Sequence, residues 1–475
     1  MFGNVMISLR YALRLRVCLS IVFVMLAGTA TAQQATTPQV ATPKVTTQQA
    51  HVKVGENVLV GREPQGTVLI EPHVAAHPTD PRRLLAVGWV HGAGETNETT
   101  DAEHCAVFSS SDGGASWSRE DVPGKSCLDP WLTFTAKGAL LTAMGSHPSL
   151  PEKEGHNQNQ LMAYYSPDGG DSWIDVPQPL GLSHDGPRSI ASGDGAIYLV
   201  SSQATRDTES QSRRFGIFLA RAAPGRAYLD TLPRIFPSNL NLQPDALTVL
   251  SDGTLVFTYQ DFQRNVNNFI GRGGRLERRR TWAIRASERG TRLSIPLFIT
   301  ESCFDRPTSI AADTSKAFPD RLYQVCSGAD QKSVLLTISS NRGEEWTEPK
   351  PIEPPTTKEG ARALSQVVVN GQGTVAVAWM DRRDDPTGRC YAPYVVASVD
   401  GGQTFSNPVR VANAVSCPDA AKTGAFVARR WAMGGDYLGL TAGADGRFHL
   451  VWSDARDGAF QIWTAAVSVQ SGTEK

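Results

Sequence analysis

One short turn is written four times in this chain: "SSDGGASW" from Ser110, "SPDGGDSW" from Ser166, "SSNRGEEW" from Ser339 and "SVDGGQTF" from Ser398. The shared pattern is S-x-[DN]-x-G-x-x-[WF]. Its spelling has a physical reason. Asp112, Asp168, Asn341 and Asp400 can accept from the backbone amides that follow them, glycine supplies positive φ, and Trp117, Trp173, Trp346 and Phe405 fold back over the turn. Three copies follow the β-rich runs "LMAYYS", "VLLTIS" and "PYVVAS". The turn therefore joins two antiparallel strands, and a chain that repeats it is a repeat protein.

A second feature recurs, a pair of apolar runs joined by a glycine-containing link, as in "LTVLSDGTLVFTYQD" from Leu247, "VVVNGQGTVAVAWMD" from Val367 and "LGLTAGADGRFHLVWSD" from Leu438. These read as tight hairpins. Units begin near Glu71, Asp129, Asp185, Asp245, Asp305, Arg362 and Asp436, at a spacing of about 57 residues, and none can bury both its faces alone. The pattern predicts an all-β propeller of four-stranded blades, seven preferred and six the alternative, with almost no room for helices. The last unit lacks its outermost strand, which "ENVLVGR" from Glu56 supplies, closing the ring.

The four turns resemble the Asp-box, or BNR repeat, of sialidases and related secreted propellers. The resemblance runs from about Glu56 to Val469. It implies the fold; the same turn occurs in other glycan-processing enzymes and in propellers that only bind partners. Sialidases of the family typically carry an Arg-Ile-Pro motif on an early strand, and this chain has none there. The nearest string, "LPRIFP" around Arg234, sits mid-chain with an inserted Phe.

The ends and the cysteines bear on compartment. Residues 1–32 combine Arg10, Arg14 and Arg16 with the apolar run "VCLSIVFVMLAG" and Ala30-Thr31-Ala32, the layout of a signal peptide cleaved after Ala32. Residues 33–52 read as a disordered Thr/Gln/Pro linker, 53–470 as one propeller domain and 471–475 as a polar tail. Export to a periplasm or beyond the cell is expected, with no membrane span after cleavage. Of seven cysteines, Cys18 leaves with the signal. The other six pair most simply as sequence neighbours, Cys105 with Cys127, Cys303 with Cys326 and Cys390 with Cys417, among 15 possible pairings.

A net charge of -1 gives no global field for nucleic acid, so nucleic acid is excluded as a partner and charge-driven binding is local. In a propeller the inner strands converge on one mouth, where Glu71, Asp129, Asp185, Arg188, Asp245, Asp305, Arg306, Arg362, Asp436 and Tyr437 gather, while the repeated turns lie on the far side. Arg188, Arg306 and Arg362 come from three units, as a carboxylate-binding trio would, with Asp245, Asp305 and Asp436 beside them. Asp129 is a candidate general acid, and Tyr437 a nucleophile if Glu71 is its base. The alternative is that each Asp caps its strand and each Arg ties blades together. "GRGGRLERRR" from Gly271 to Arg280 is either an anion-attracting loop on the mouth or a solvated one. Trp89, Trp379 and Trp452 either stack on sugars or pack in the core.

The leading expectation is an exported sialidase-like glycan-active protein, a glycoside hydrolase acting on an acidic sugar at the mouth. The rival is a non-catalytic propeller binding a glycan or protein partner. No cofactor and no required metal are expected.

Overall fold

The computed structural model describes residues 48–93, 104–120, 122–123, 127–145, 160–176, 178, 180–181, 184–206, 213–235, 241–262, 280–304, 307–357 and 361–473. The apolar runs form seven antiparallel sheets, in six of which chain order is also spatial order from the inner edge outward. The inner strands are Thr67–Ala76, Leu128–Thr135, His184–Ala191, Asn241–Val249, Ser309–Asp313, Arg362–Val369 and Gly439–Ala442, of blades 1 to 7. Each packs beside the next, and the last beside the first. The protein is a seven-bladed β-propeller.

Blade 7 closes the ring. Its inner and middle strands come from the C-terminal end, while Gln48–Val54 and Val58–Gly61 both pair with its long third strand, Gln461–Thr473. The strand expected from Glu56 is therefore present. A separate strand, Gln48–Val54, precedes it and overlaps the end of the stretch read as linker: Ala50 is buried while Gln49, His51 and Lys53 are exposed, the period-two alternation of a half-buried strand. Residues 1–32, expected to be a signal peptide, and residues 33–47 lie outside the described residues.

The repeated turns connect the third and outer strands of blades 1, 2, 5 and 6. In blade 1, Ser110 Oγ donates to Asp112 Oδ1 (2.9 Å), Gly114 N donates to Ser110 Oγ (2.9 Å) and Ser116 N donates to Asp112 Oδ1 (2.9 Å). The other three copies repeat this network through Asp168, Asn341 and Asp400. Trp117, Trp173, Trp346 and Phe405 each pack into an apolar cluster. Gly170 explains the glycine: a Cβ there would sit 2.3 Å from Leu85 Cδ2 of the preceding blade.

All three disulfides join sequence neighbours, Cys105–Cys127, Cys303–Cys326 and Cys390–Cys417. The first links blade 1 to the entry of blade 2, and the third ties blade 6 to the long link into blade 7. That link carries two short helices, Ala420–Thr423 and Ala425–Arg430. No helix among the described residues is long and apolar enough to cross a membrane.

Candidate functional site

The inner strands share a defect that builds the site. In blades 1, 2, 3, 4 and 6 one extra residue is inserted against the second strand, at 70–73, 128–131, 185–188, 244–246 and 363–366. Such a bulge bends the strand and re-aims a side chain. In blades 1 and 2 the positive-φ position is itself acidic, Glu71 (φ 53°) and Asp129 (φ 48°), and each precedes proline. In blade 3 the matching position is Gly186 (φ 57°), followed by Pro187. A carboxylate residue held at positive φ costs about 1–3 kcal/mol, and such strain clusters at functional sites.

The bulges bring Glu71 and Asp129 together. Burial first, then the charge and hydrogen bond of Asp129 and the charge of Asp436, push the Glu71 carboxyl well above its ordinary range, and Arg430 opposes them. Glu71 is 1% exposed, and its Oε2 has no hydrogen-bond partner. Asp129 Oδ2 also accepts from Gly186 N (3.2 Å) of blade 3.

Arg188 reaches the same place. Its guanidinium carbon lies 4.5 Å from the ring centre of Trp131 and 4.5 Å from that of Tyr437. The residue is 4% exposed, Nη1 donates to Pro187 O, Nε has no partner, and no ion pair joins it to another described residue. Trp131 stacks on His73 at 3.7 Å, whose Nδ1 accepts from Leu132 N. Burial, then the nearby Arg188, hold His73 well below its ordinary pKa, so this side of the cluster adds no second cation.

The loop before blade 7 completes the cluster. Gly434 O accepts from Glu71 N (2.8 Å), and a Cβ on Gly435 would stand 2.8 Å from that nitrogen. Only glycine lets the loop lie so close. Asp436 binds Arg430 through two contacts of 2.8 Å. Arg430, at the end of the second short helix, is absent from the sequence expectations, because the link that carries it matches no repeat.

Several expectations are corrected. Arg362 is no free ligand contact: it is 4% exposed, bonds Asp381 (3.3 Å) and Glu353 (3.0 Å), and donates to Pro354 O. Its charge is balanced inside the fold. Asp245 is 1% exposed and accepts from Thr308 of the next blade, while Asp185 accepts from Gln243; both brace neighbouring blades. The Tyr437 hydroxyl donates to Pro130 O (3.2 Å), and burial pushes the phenol well above its ordinary pKa, which opposes a nucleophilic phenolate. Trp89, Trp379 and Trp452 are 5%, 0% and 0% exposed and belong to the core. Asp305, Arg306 and residues 271–279 lie outside the described residues.

No protein-family model matches the sequence, and no curated protein matches it. Solved propellers resemble it in fold. A Dyadobacter fermentans protein of unknown function aligns over 88% of this chain and 99% of its own, at 12% identity and a TM-score of 0.49. An α-L-arabinofuranosidase from Fusarium graminearum aligns over 73% and 98% at 11% identity and 0.47. A Trypanosoma rangeli sialidase aligns over 84% of this chain and 53% of its own at 12% identity and 0.44. Likenesses at this level decide nothing about activity.

Proposed function

We propose that this chain is an exported, glycan-active Asp-box propeller that takes an acidic sugar at the mouth between blades 7, 1, 2 and 3. The observation that carries the reading is Arg188, a buried guanidinium clamped between two rings with no ion-pair partner among the described residues and an unsatisfied Nε. Burying an unpaired charge is expensive, and a ligand carboxylate is the group that repays it through charge-assisted hydrogen bonds. The neighbouring Glu71 and Asp129 supply a proton-holding unit beside that anion. In a hydrolase Asp129, backed by Glu71, protonates the leaving oxygen while water supplies the hydroxyl. Three disulfides support folding in an oxidising compartment, as export requires.

A binding-only reading is favoured by one feature. A glycosidase flanks the scissile bond with two carboxyls that act separately, roughly 5 Å or more apart, whereas Asp129 raises the buried Glu71 carboxyl, which favours the two acting as one unit. A panel of chromogenic uronides and other acidic glycosides separates the two readings. Turnover lost in Asp129→Asn supports the hydrolase. Retained binding of acidic sugars with no turnover anywhere in the panel leaves a lectin-like propeller.

A further inference from the structure

Three of the bulges are spelled alike. Glu71-Pro72-His73 in blade 1, Asp129-Pro130-Trp131 in blade 2 and Gly186-Pro187-Arg188 in blade 3 each set a positive-φ residue before proline. The residue after the proline is the first to rejoin the ladder, opposite Val87, Thr142 and Val200 respectively. A bulge re-aims a side chain. Here three planar ones, an imidazole, an indole and a guanidinium from successive blades, are re-aimed onto one another. His73 stacks on Trp131 with ring centres 3.7 Å apart and planes 28° from parallel, and the Arg188 guanidinium carbon lies 4.5 Å from the centre of the same indole.

Trp131, the middle member, is half-buried and fixed from several elements. Its Nε1 donates to Ser189 O of blade 3 (2.9 Å), next in sequence to Arg188. His73 covers it from blade 1, and His73 Nδ1 accepts from Leu132 N (3.2 Å). With that nitrogen an acceptor the imidazole is neutral, so the stack carries one charge. Tyr437, from the link into blade 7, meets the indole edge-on at 5.6 Å and bonds Pro130 O. Arg188 has far less to hold it: Nη1 donates to Pro187 O, and no ion pair joins it to another described residue. The rings are its mooring. A buried indole attracts a guanidinium through its quadrupole, and a ligand group met by a side chain already in place loses less freedom on binding.

We propose that Trp131 is the positioning residue of the mouth: its indole, fixed by His73 and Ser189, holds the Arg188 guanidinium in one place before any ligand arrives. The inference deepens the proposed site and rests on that reading only for the ligand, since the stack exists in the ligand-free chain.

The test has a ligand-free arm and a binding arm. In ¹⁵N-labelled protein, with Arg188→Lys identifying the resonance, the Arg188 Nε–H signal should be displaced by ring currents from the position of free arginine. Trp131→Leu should move it toward that position, and Trp131→Phe should keep most of the displacement. In calorimetric titration with glucuronic acid and N-acetylneuraminic acid, Trp131→Leu should weaken binding of the acid that wild type takes roughly tenfold, and Trp131→Phe about threefold or less. Loss of bulk or of the Ser189 bond alone would weaken Trp131→Phe and Trp131→Leu equally, and that result overturns the proposal. A folded Trp131→Leu protein whose Arg188 resonance matches the parent's also overturns it. If Trp131→Leu does not fold, Trp131→Met fills the space without a ring and is read the same way. A wild-type resonance at the free-arginine position overturns the proposal whichever variants fold. Should wild type bind neither acid, the glycan reading fails while the resonance still decides the role of Trp131, so the two failures are distinct.

Discussion

Glu71 and Asp129 stand at the junction of blades 1 and 2, each at positive φ on an inner-strand bulge and each followed by proline. A structural brace pairs an acid with a donor or a cation, as Asp245 pairs with the Thr308 hydroxyl and Asp381 with Arg362, whereas Glu71 Oε2 has no such partner. Burial first, then the neighbouring Asp129, keeps the proton on Glu71 above the pH at which free carboxyls lose theirs.

Removing that proton requirement changes stability with a defined sign. The folded-state pKa of Glu71 is raised above its ordinary value of 4.5, so its contribution is fully present below that pH and is lost as pH rises through the folded value. Glu71→Gln should therefore leave the melting temperature nearly unchanged at pH 4 and raise it above the raised pKa. Thermal unfolding across pH checks this; a Glu71→Gln protein less stable than the parent at every pH contradicts it.

The two buried arginines should behave oppositely. Arg362 and Arg383 together neutralise Asp381 and Glu353, and Arg362→Leu leaves two buried acids with the single cation Arg383, at a cost of about 3–5 kcal/mol. Arg188 has no such partner among the described residues, and Arg188→Leu should be neutral or stabilising while weakening the binding of acidic sugars about a hundredfold. Denaturant unfolding of both variants is the measurement. Equal losses would mean that Arg188 is a brace.

The repeated turns should matter only to the fold. Hydrogen bonds from Ser116, chiefly from its side chain, hold Asp112 at about 2 against an ordinary 3.8. That contribution is present above pH 3.8 and fades as pH falls toward 2. Asp112→Ala should cost about 1 kcal/mol at neutral pH, less in acid, and leave sugar affinity untouched. Loss of binding in a folded Asp112→Ala protein would contradict the separation of faces.

Gly435 is predicted to be irreplaceable. With φ 143° and a Cβ position 2.8 Å from Glu71 N, Gly435→Ala should push the loop off blade 1 and destabilise the ring. Hydrogen exchange at Glu71 reads the effect directly, and unchanged protection there would show the close approach to be unnecessary.

Much of this molecule can be read from its residues, for reasons that differ by part. The propeller is legible because Asp112, Asp168, Asn341 and Asp400 mark local turns whose chemistry lies within eight residues. The cysteines pair with sequence neighbours because a blade is a local unit. Glu71, Asp129, Arg188 and Tyr437 gather as expected because every inner strand begins on the same face. The bulges are not legible, since an inserted residue in a short strand leaves no period to break. Arg362 misleads because its partners Glu353 and Asp381 enclose it only after the chain folds. Arg430 and Trp131 stay hidden, one on a link outside the repeat, the other looking like any core tryptophan.

Calorimetric titration of glucuronic acid and N-acetylneuraminic acid, with glucose as the uncharged control, into wild type and Arg188→Leu tests the central claim most directly. Wild type is predicted to bind at least one acid and not glucose, and Arg188→Leu to bind that acid about a hundredfold more weakly, about 2.7 kcal/mol. Equal affinity in the folded variant, or wild type that binds neither acid, would contradict the account.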